Sequence, residues 1–150
     1  MIEGNPLGSV QPFPEAQQVL HALKKRYKLA LITNVPSAIT VEYVHAGLQE
    51  LGIHHYFDVI IVSSAVGCNK PHEQIFTLAL DQLNVKPEEA MMIGNTIATD
   101  IFGGNRIGMT TVLIQRTEQY QPSEWEQPNH TISSLTELRS ILASQSFEQL

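Results

Sequence analysis

Four short apolar runs alternate with segments of helical periodicity, and this alternation is the feature that most constrains the fold. The runs lack the apolar–polar alternation of a half-exposed strand, and short unbroken runs are typical of strands covered on both faces. Strand and helix alternating at this spacing predict an α/β fold, a three-layer sandwich with a mainly parallel, Rossmann-like sheet. The runs are residues 29–32, 59–62, 91–93 and 111–114.

Capping and turn residues set the expected limits of the helices between these runs. Pro14 and Glu15 indicate the first turn of one helix, and Ser37 is the expected cap of the next, which Gly52 ends. Pro71 opens a third helix and Gly108 terminates a short one. A capping-box pattern at residues 134–137 introduces the last.

Length and composition favour a single domain over residues 1–150. At 150 residues and 43% hydrophobic composition the chain can build one core and is short for two. We expect an ordered core over about residues 12–142, a surface loop at 119–129 and a frayed tail at 144–150.

Charge and cysteine content argue against several classes of partner. A net charge of −6 with nine Lys plus Arg gives no concentrated basic surface, so nucleic acid is not expected as a partner. No apolar stretch approaches the roughly 18 residues of a membrane span. A single cysteine, Cys68, and an N-terminus without a signal pattern predict a cytoplasmic protein.

Polar residues stand in or after the loops that follow the predicted strands. They are Thr33, Lys70, Asn95 and Asp100. Because ligands of parallel α/β sheets bind at the carboxyl ends of strands, we expect these residues to converge on one pocket.

Four features in one order carry a family resemblance. They are Ile32-Thr33-Asn34 closing a strand, Asn69-Lys70-Pro71 opening a helix, Ile93-Gly94-Asn95 closing a strand, and Asp100 five residues later. This set resembles the second, third and fourth motifs of the haloacid dehalogenase-like (HAD) hydrolase superfamily over roughly residues 12–142. The resemblance implies a phosphatase that acts on a phosphorylated small molecule.

The resemblance also implies a role for each site residue. Thr33 would donate its hydroxyl, and Asn34 its backbone amide, to a phosphoryl oxygen. Lys70 would place a positive charge against the phosphoryl group. Asp100 and Asn95 would hold Mg²⁺, more weakly than is usual in the family because the neutral Asn95 stands where an acid is common.

The family's first motif, an Asp-x-Asp sequence whose first Asp is the nucleophile, has no counterpart here. The three aspartates are Asp58, at the start of a strand, Asp81, within a helix, and Asp100. The resemblance thus implies a core domain without its central first strand and cap, inactive or nearly so as this chain alone. Since the cap shapes the family's substrate pocket, the substrate cannot be predicted.

The missing motif leaves three interpretations open: a pseudoenzyme of the phosphatase class, one part of a split or truncated active hydrolase, or a non-catalytic module that binds a phosphate or a partner. Two sheet edges would carry unpaired backbone groups. They could pair with each other, in a strand-swapped homodimer, or with a complementing chain.

Simpler explanations exist for the same residues. Thr33 could merely end a strand, Lys70 could be a solvated lysine, and Asp100 could cap the helix after it. Cys68, two residues from Lys70, is a weak candidate for a thiolate nucleophile. The six histidines lack metal-ligand spacing and are expected on the surface: His21, His45, His54, His55, His72 and His130.

Overall fold

A computed structural model describes residues 13–115 and 123–144. The chain divides into two compact units, Met1–Leu83 and Asn84–Leu150. The single-domain expectation stays a prediction. The expected frayed tail beyond residue 144 and the first part of the 119–129 loop lie outside the described residues.

In its described residues, 13–83, the first unit contains two parallel strands and four α-helices. Ala30 pairs with Val59 at one end of the ladder and Thr33 with Val62 at the other. The elements are α1 Ala16–Lys24, β1 Ala30–Thr33, α2 Val41–Glu50, a 3₁₀ turn His54–Tyr56, β2 Val59–Val62, α3 Ser63–Val66 and α4 Glu73–Leu83.

The core of this unit is apolar and closely packed. Ile75 and Phe76 of α4 are fully buried, as expected for the inner face of a helix that covers a parallel sheet. A second buried cluster joins α2 to β2 and consists of Val44, Leu48, Ile53, Tyr56 and Val62. The two clusters fix β1 and β2, and with them the loops that follow their carboxyl ends.

The described part of the second unit contains a three-stranded parallel sheet in the order β3–β4–β5. Its helical turns include one π-helical turn. Such turns are rare in proteins, and those that occur often lie at functional sites. The elements are a 3₁₀ turn Pro87–Glu89, β3 Met91–Gly94, the π turn Ile97–Ile101, α5 Phe102–Ile107, β4 Thr110–Ile114, a 3₁₀ turn Glu124–Glu126, β5 His130–Ile132, a 3₁₀ turn Leu135–Glu137 and α6 Leu138–Ser144.

The predicted α/β class with parallel strands is confirmed, and each of the four predicted strands is observed to within one residue at each end. The prediction missed β5, a strand of three residues that is too short to show a period. Its place is fixed by pairing with β4 and by the hydrogen bond from Gln115 N–H to Ile132 O, 2.8 Å.

Two helix starts were also predicted wrongly. The cap of α2 is Thr40, whose hydroxyl accepts the N–H of Tyr43 at 3.2 Å, and not Ser37. Helix α4 begins at Glu73, two residues after Pro71. Residues 63–66, which directly follow β2, form α3. A cap needs its own hydrogen bond, and several Ser or Thr residues before a helix can supply one.

Within the described residues, β1 pairs with β2 and β3 pairs with β4, so each has one edge without a strand partner. All four residues of β1 are half-buried despite their mostly apolar sequence, and so are those of β3. None of the helices in the described part is long and apolar enough to cross a membrane.

Candidate functional site

Thr33 is the last residue of β1 and lies at the carboxyl end of the parallel pair. Its side chain is half-buried. The hydroxyl makes no hydrogen bond to any residue in the described part of the chain, although the neighbouring side chains make several. A hydroxyl at this position is available to donate to an anion.

Asn34 and Lys70 are joined by a pair of reciprocal hydrogen bonds. The Asn34 side chain donates from Nδ2 to Lys70 O at 3.0 Å and accepts from Lys70 N at 2.8 Å through Oδ1. One amide side chain therefore satisfies both backbone groups of Lys70. This bridge fixes the loop after β2 against the end of β1.

The Lys70 ammonium lies at the end of β1, where Nζ donates to Ile32 O at 3.0 Å. The carbonyl of Leu29 faces β2, because it accepts the N–H groups of Asp58 and Val59. Backbone groups alternate along a strand, so the carbonyl of Ile32 points to the edge of β1 away from β2. The positive charge thus stands at the carboxyl end of the strand edge that has no partner in the described residues.

In the second unit, Asp100 belongs to the π turn that follows β3. Its side chain is only 4% exposed, and its Oδ2 accepts the N–H of Thr96 at 3.2 Å. The Thr99 hydroxyl donates weakly to Oδ1 at 3.4 Å. Asp100 bonds back to the turn before it, and Ile101, the residue that precedes α5, provides no side-chain cap.

Gly94, the last residue of β3, makes room for this carboxyl group. A Cβ at position 94 would stand 2.2 Å from Asp100 Oδ2 and 2.4 Å from its Cβ and Cγ, distances that no real contact has. Only glycine allows Asp100 to lie against the end of β3. The glycine was named in the sequence motif, but this packing role was not predicted.

The oxygen atoms at the carboxyl end of β3 are of the chemical type that a hard cation prefers as ligands. Asp100 offers a buried carboxylate, and the exposed Asn95 offers an amide oxygen that also accepts from the Thr96 hydroxyl at 3.3 Å. Mg²⁺ prefers such ligands and usually keeps several waters. The described residues hold no group of three or more His, Cys, Asp or Glu suited to a metal, and the role of Asp100 and Asn95 as metal ligands stays a prediction.

The remaining candidates lie elsewhere. Asp58 precedes β2 at its amino end, where the Lys24 ammonium and the N–H of Leu29 hold the pKa of its carboxyl below the ordinary value of 3.8. Asp81 is exposed on α4. Cys68 is half-buried in the loop before Lys70, and its proposed nucleophilic role stays a prediction.

Three of the six histidines are exposed and three are half-buried, and two of the half-buried ones contact each other. His45 and His54 are half-buried and share a hydrogen bond of 2.9 Å between Nδ1 and Nε2. This contact joins α2 to the 3₁₀ turn before β2 and lies at the amino end of that strand. Sequence spacing could not have shown it, because α2 and the turn meet only in the folded unit.

The structure therefore brings Thr33, Asn34 and Lys70 together in the first unit. It brings Asn95 and Asp100 together in the second. A common pocket for the two groups stays a prediction.

Comparison with known proteins agrees with the motifs. The family model described as haloacid dehalogenase-like hydrolase matches residues 3–114. The pyrimidine 5′-nucleotidase of Escherichia coli (strain K12) is 36% identical over 132 residues, which are 87% of this chain and 56% of that protein. The glyceraldehyde 3-phosphate phosphatase of Methanothermobacter thermautotrophicus is 40% identical over 106 residues, 70% of this chain and 45% of that protein.

A solved structure gives the same result for the fold. The crystal structure of a HAD phosphatase from Thermococcus onnurineus has a TM-score of 0.78 at 32% identity and covers 90% of this chain and 60% of that one. The chain spans about half the length of the curated relatives it matches. On the family match and these identities, the chain belongs to the haloacid dehalogenase-like hydrolase family.

Proposed function

We propose that this chain supplies the phosphate-binding and magnesium-binding residues of a phosphate monoester hydrolase. The observation that carries the proposal is the arrangement at the end of β1. There a hydroxyl, a backbone amide and an ammonium group from two loops are held together by the Asn34–Lys70 bridge.

The residues of the first unit suit the binding of a phosphoryl group. The Thr33 hydroxyl and the Asn34 N–H can each donate to one of its oxygens, while the Asn34 side chain is occupied by Lys70. The Lys70 ammonium adds a charge-assisted donor. Donors fixed in advance stabilise developing charge without a cost of reorganisation at the moment of reaction.

Asp100 and Asn95 are the proposed ligands of Mg²⁺. Their carboxylate and amide oxygens are of the right chemical type, and Gly94 and Thr96 hold the carboxylate in place. A bound Mg²⁺ would supply electrostatic stabilisation of phosphoryl oxygens. With a neutral Asn95 the site carries one negative charge from these two residues, so weak binding is expected.

Among the three aspartates we do not find one that is placed to act as the nucleophile. Asp58 is paired with Lys24 at the amino end of β2, and Asp81 is exposed on a helix, so neither lies near Thr33. We therefore propose that the chain by itself does not turn over a phosphate ester. The same residues would then act as a phosphate-binding module until a carboxylate is added.

The outer edge of β1 is the proposed position of that carboxylate. Its strand is apolar but half-buried, it has an unpaired edge in the described residues, and Lys70 places a positive charge at its carboxyl end. An added parallel strand that ends in acidic residues would complement both the hydrogen-bonding edge and the charge. We propose a complementing strand from another stretch of polypeptide as the partner.

The first test measures phosphate binding and turnover by the purified chain with Mg²⁺. Substrates would include a generic aryl phosphate, a pyrimidine nucleotide and a triose phosphate, because the relatives include a pyrimidine 5′-nucleotidase and a glyceraldehyde 3-phosphate phosphatase. Lys70→Ala should abolish phosphate binding, and its matched control Lys25→Ala, at an exposed lysine after α1, should not. Wild-type protein that binds no phosphate at millimolar concentration would overturn the proposal.

Turnover distinguishes the two forms of the proposal. No turnover with retained phosphate binding is the expected result. Turnover that is lost in both Lys70→Ala and Asp100→Ala, and kept in the control Asp81→Ala, would show that the chain alone is a hydrolase. It would refute the proposal that the chain binds phosphate without turnover.

A second experiment tests the partner. A synthetic strand peptide ending in Asp-x-Asp should bind and produce turnover, whereas the same peptide ending in Asn-x-Asn should bind without turnover. A chain that is dimeric by sedimentation velocity and unaffected by either peptide would instead favour a strand-swapped homodimer.

A further inference from the structure

Ser63 is a buried polar residue that has no direct role in the proposed phosphate site. It follows β2 directly, begins α3, and is 3% exposed. Its hydroxyl accepts the N–H of Val35 at 2.8 Å and donates to Val35 O at 3.2 Å. A single hydroxyl thus bonds to both backbone groups of one residue in the loop after β1.

This pair of bonds fixes the backbone on the far side of Asn34. The N–H of Val35 belongs to the peptide that joins it to Asn34, and its carbonyl belongs to the peptide before Pro36. The β1 ladder fixes the chain up to Thr33 on the other side. Asn34 is consequently held from both directions, as well as through its side chain on Lys70.

Few side chains could replace this hydroxyl. It acts as donor and acceptor at once, which an alanine cannot do, and without it two backbone groups of Val35 would lose their partner. The neighbouring Ser64 bonds elsewhere, since its hydroxyl donates to Ile39 O further along the same loop. The two serines of α3 thus hold different parts of this loop.

We infer that Ser63 is a positioning residue of the phosphate site, and the inference rests on the proposed function. Through Val35 it orients the Asn34 N–H toward a bound phosphoryl group and keeps the Asn34 side chain in reach of Lys70. It touches no substrate atom. Its contribution is to set the donor geometry before a ligand arrives.

The test compares Ser63→Ala with Ser64→Ala, which removes a hydroxyl of the same size from the same helix. Inorganic phosphate is titrated into the full chain, and the backbone amides of residues 33–35 and 70 are followed by NMR. Ser63→Ala should weaken phosphate binding about tenfold, the loss expected for one mispositioned donor, and Ser64→Ala should stay within about twofold of wild type. Ser63→Thr, which keeps the hydroxyl, should recover most of the affinity.

Hydrogen exchange in the absence of phosphate gives a second readout. The Val35 amide should exchange about tenfold faster in Ser63→Ala and at the wild-type rate in Ser64→Ala. If Ser63→Ala binds phosphate as wild type does, the positioning role is refuted. An unchanged Val35 exchange rate would refute the contact itself.

Failure of the proposed function would look different. If the wild-type protein binds no phosphate, the proposed phosphate site is refuted. In that case a faster Val35 exchange together with shifted Asn34 and Lys70 amides in Ser63→Ala still supports the positioning of this loop, and unshifted amides overturn it.

Discussion

Replacing Gly94 with alanine should displace the buried carboxylate of Asp100. The new methyl would overlap three atoms of that side chain at 2.2 to 2.4 Å, and one of them, the Cβ, is fixed to the backbone and cannot rotate away. Overpacking of this kind costs about 1 to 3 kcal/mol. Loss of the Thr96 N–H to the carboxylate adds about 1.5 kcal/mol.

The expected loss of unfolding free energy is therefore about 3 kcal/mol, or about 6 to 12 °C in melting temperature for a chain of this size. Urea denaturation followed by circular dichroism measures it. The backbone conformation at position 94 is one that alanine can adopt, because φ of Gly94 is not positive. The cost therefore comes from the clash with Asp100. In an ordinary strand the change from glycine to alanine would be neutral or slightly stabilising.

Two backgrounds separate this clash from other effects of the substitution. Asp100→Ala keeps the Cβ at 2.4 Å, so Gly94→Ala should remain costly there. Asp100→Gly removes all three overlapping atoms, so Gly94→Ala should then cost less than about 1 kcal/mol. An equal cost in both backgrounds, or no cost in the otherwise wild-type chain, would refute the packing argument.

Three further predictions concern stability. Asn105 donates to two backbone carbonyls of the segment before β5 and accepts from the Thr111 hydroxyl at 2.6 Å. Asn105→Ala should therefore lower the free energy of unfolding, measured by urea denaturation, by about 2 to 3 kcal/mol. A loss below about 0.5 kcal/mol would contradict this prediction. The lowered pKa of Asp58 stabilises the fold above pH 3.8, and that stabilisation is lost as pH falls through its folded pKa. Because Lys24 and Asp58 are 35% and 38% exposed, Lys24→Met should cost less than about 1 kcal/mol at pH 7. That difference should vanish in acid, and a difference that persists in urea titrations at about pH 2 would count against the ion pair. Gly108 follows α5 with a φ of +88°, and an added methyl group there would meet no atom within 4 Å. Gly108→Ala should therefore lower the free energy of unfolding by about 1 kcal/mol through backbone strain alone, and Gly108→Asn should lower it less. Thermal melts measure both changes.

The sequence was sufficient to predict four of the five strands in the described residues. Runs such as residues 59–62 are apolar without alternation because they are covered on both faces, and this pattern needs no knowledge of partners. Thr33, Lys70 and Asp100 were predicted as site residues because they stand in the order of a known family's motifs, and their roles stay predictions. The family matches confirm that assignment of the family.

Short elements and caps were harder to predict. β5 has three residues and exists because β4 offers an edge, and α2 starts at Thr40 because that hydroxyl, rather than Ser37, reaches a helix N–H. Local propensity cannot choose among several serines and threonines that stand near one another.

What the sequence determined by itself is the alternation of strands and helices, the family, and the chemical type of the site residues. Only the tertiary structure showed that Asn34 holds Lys70, that Ser63 holds Val35, and that Gly94 makes room for Asp100. These contacts join residues that lie 36, 28 and 6 positions apart. The physical reason is that apolar patterning follows from burial, which each segment records in its own composition, whereas a hydrogen bond or a close contact depends on two segments meeting.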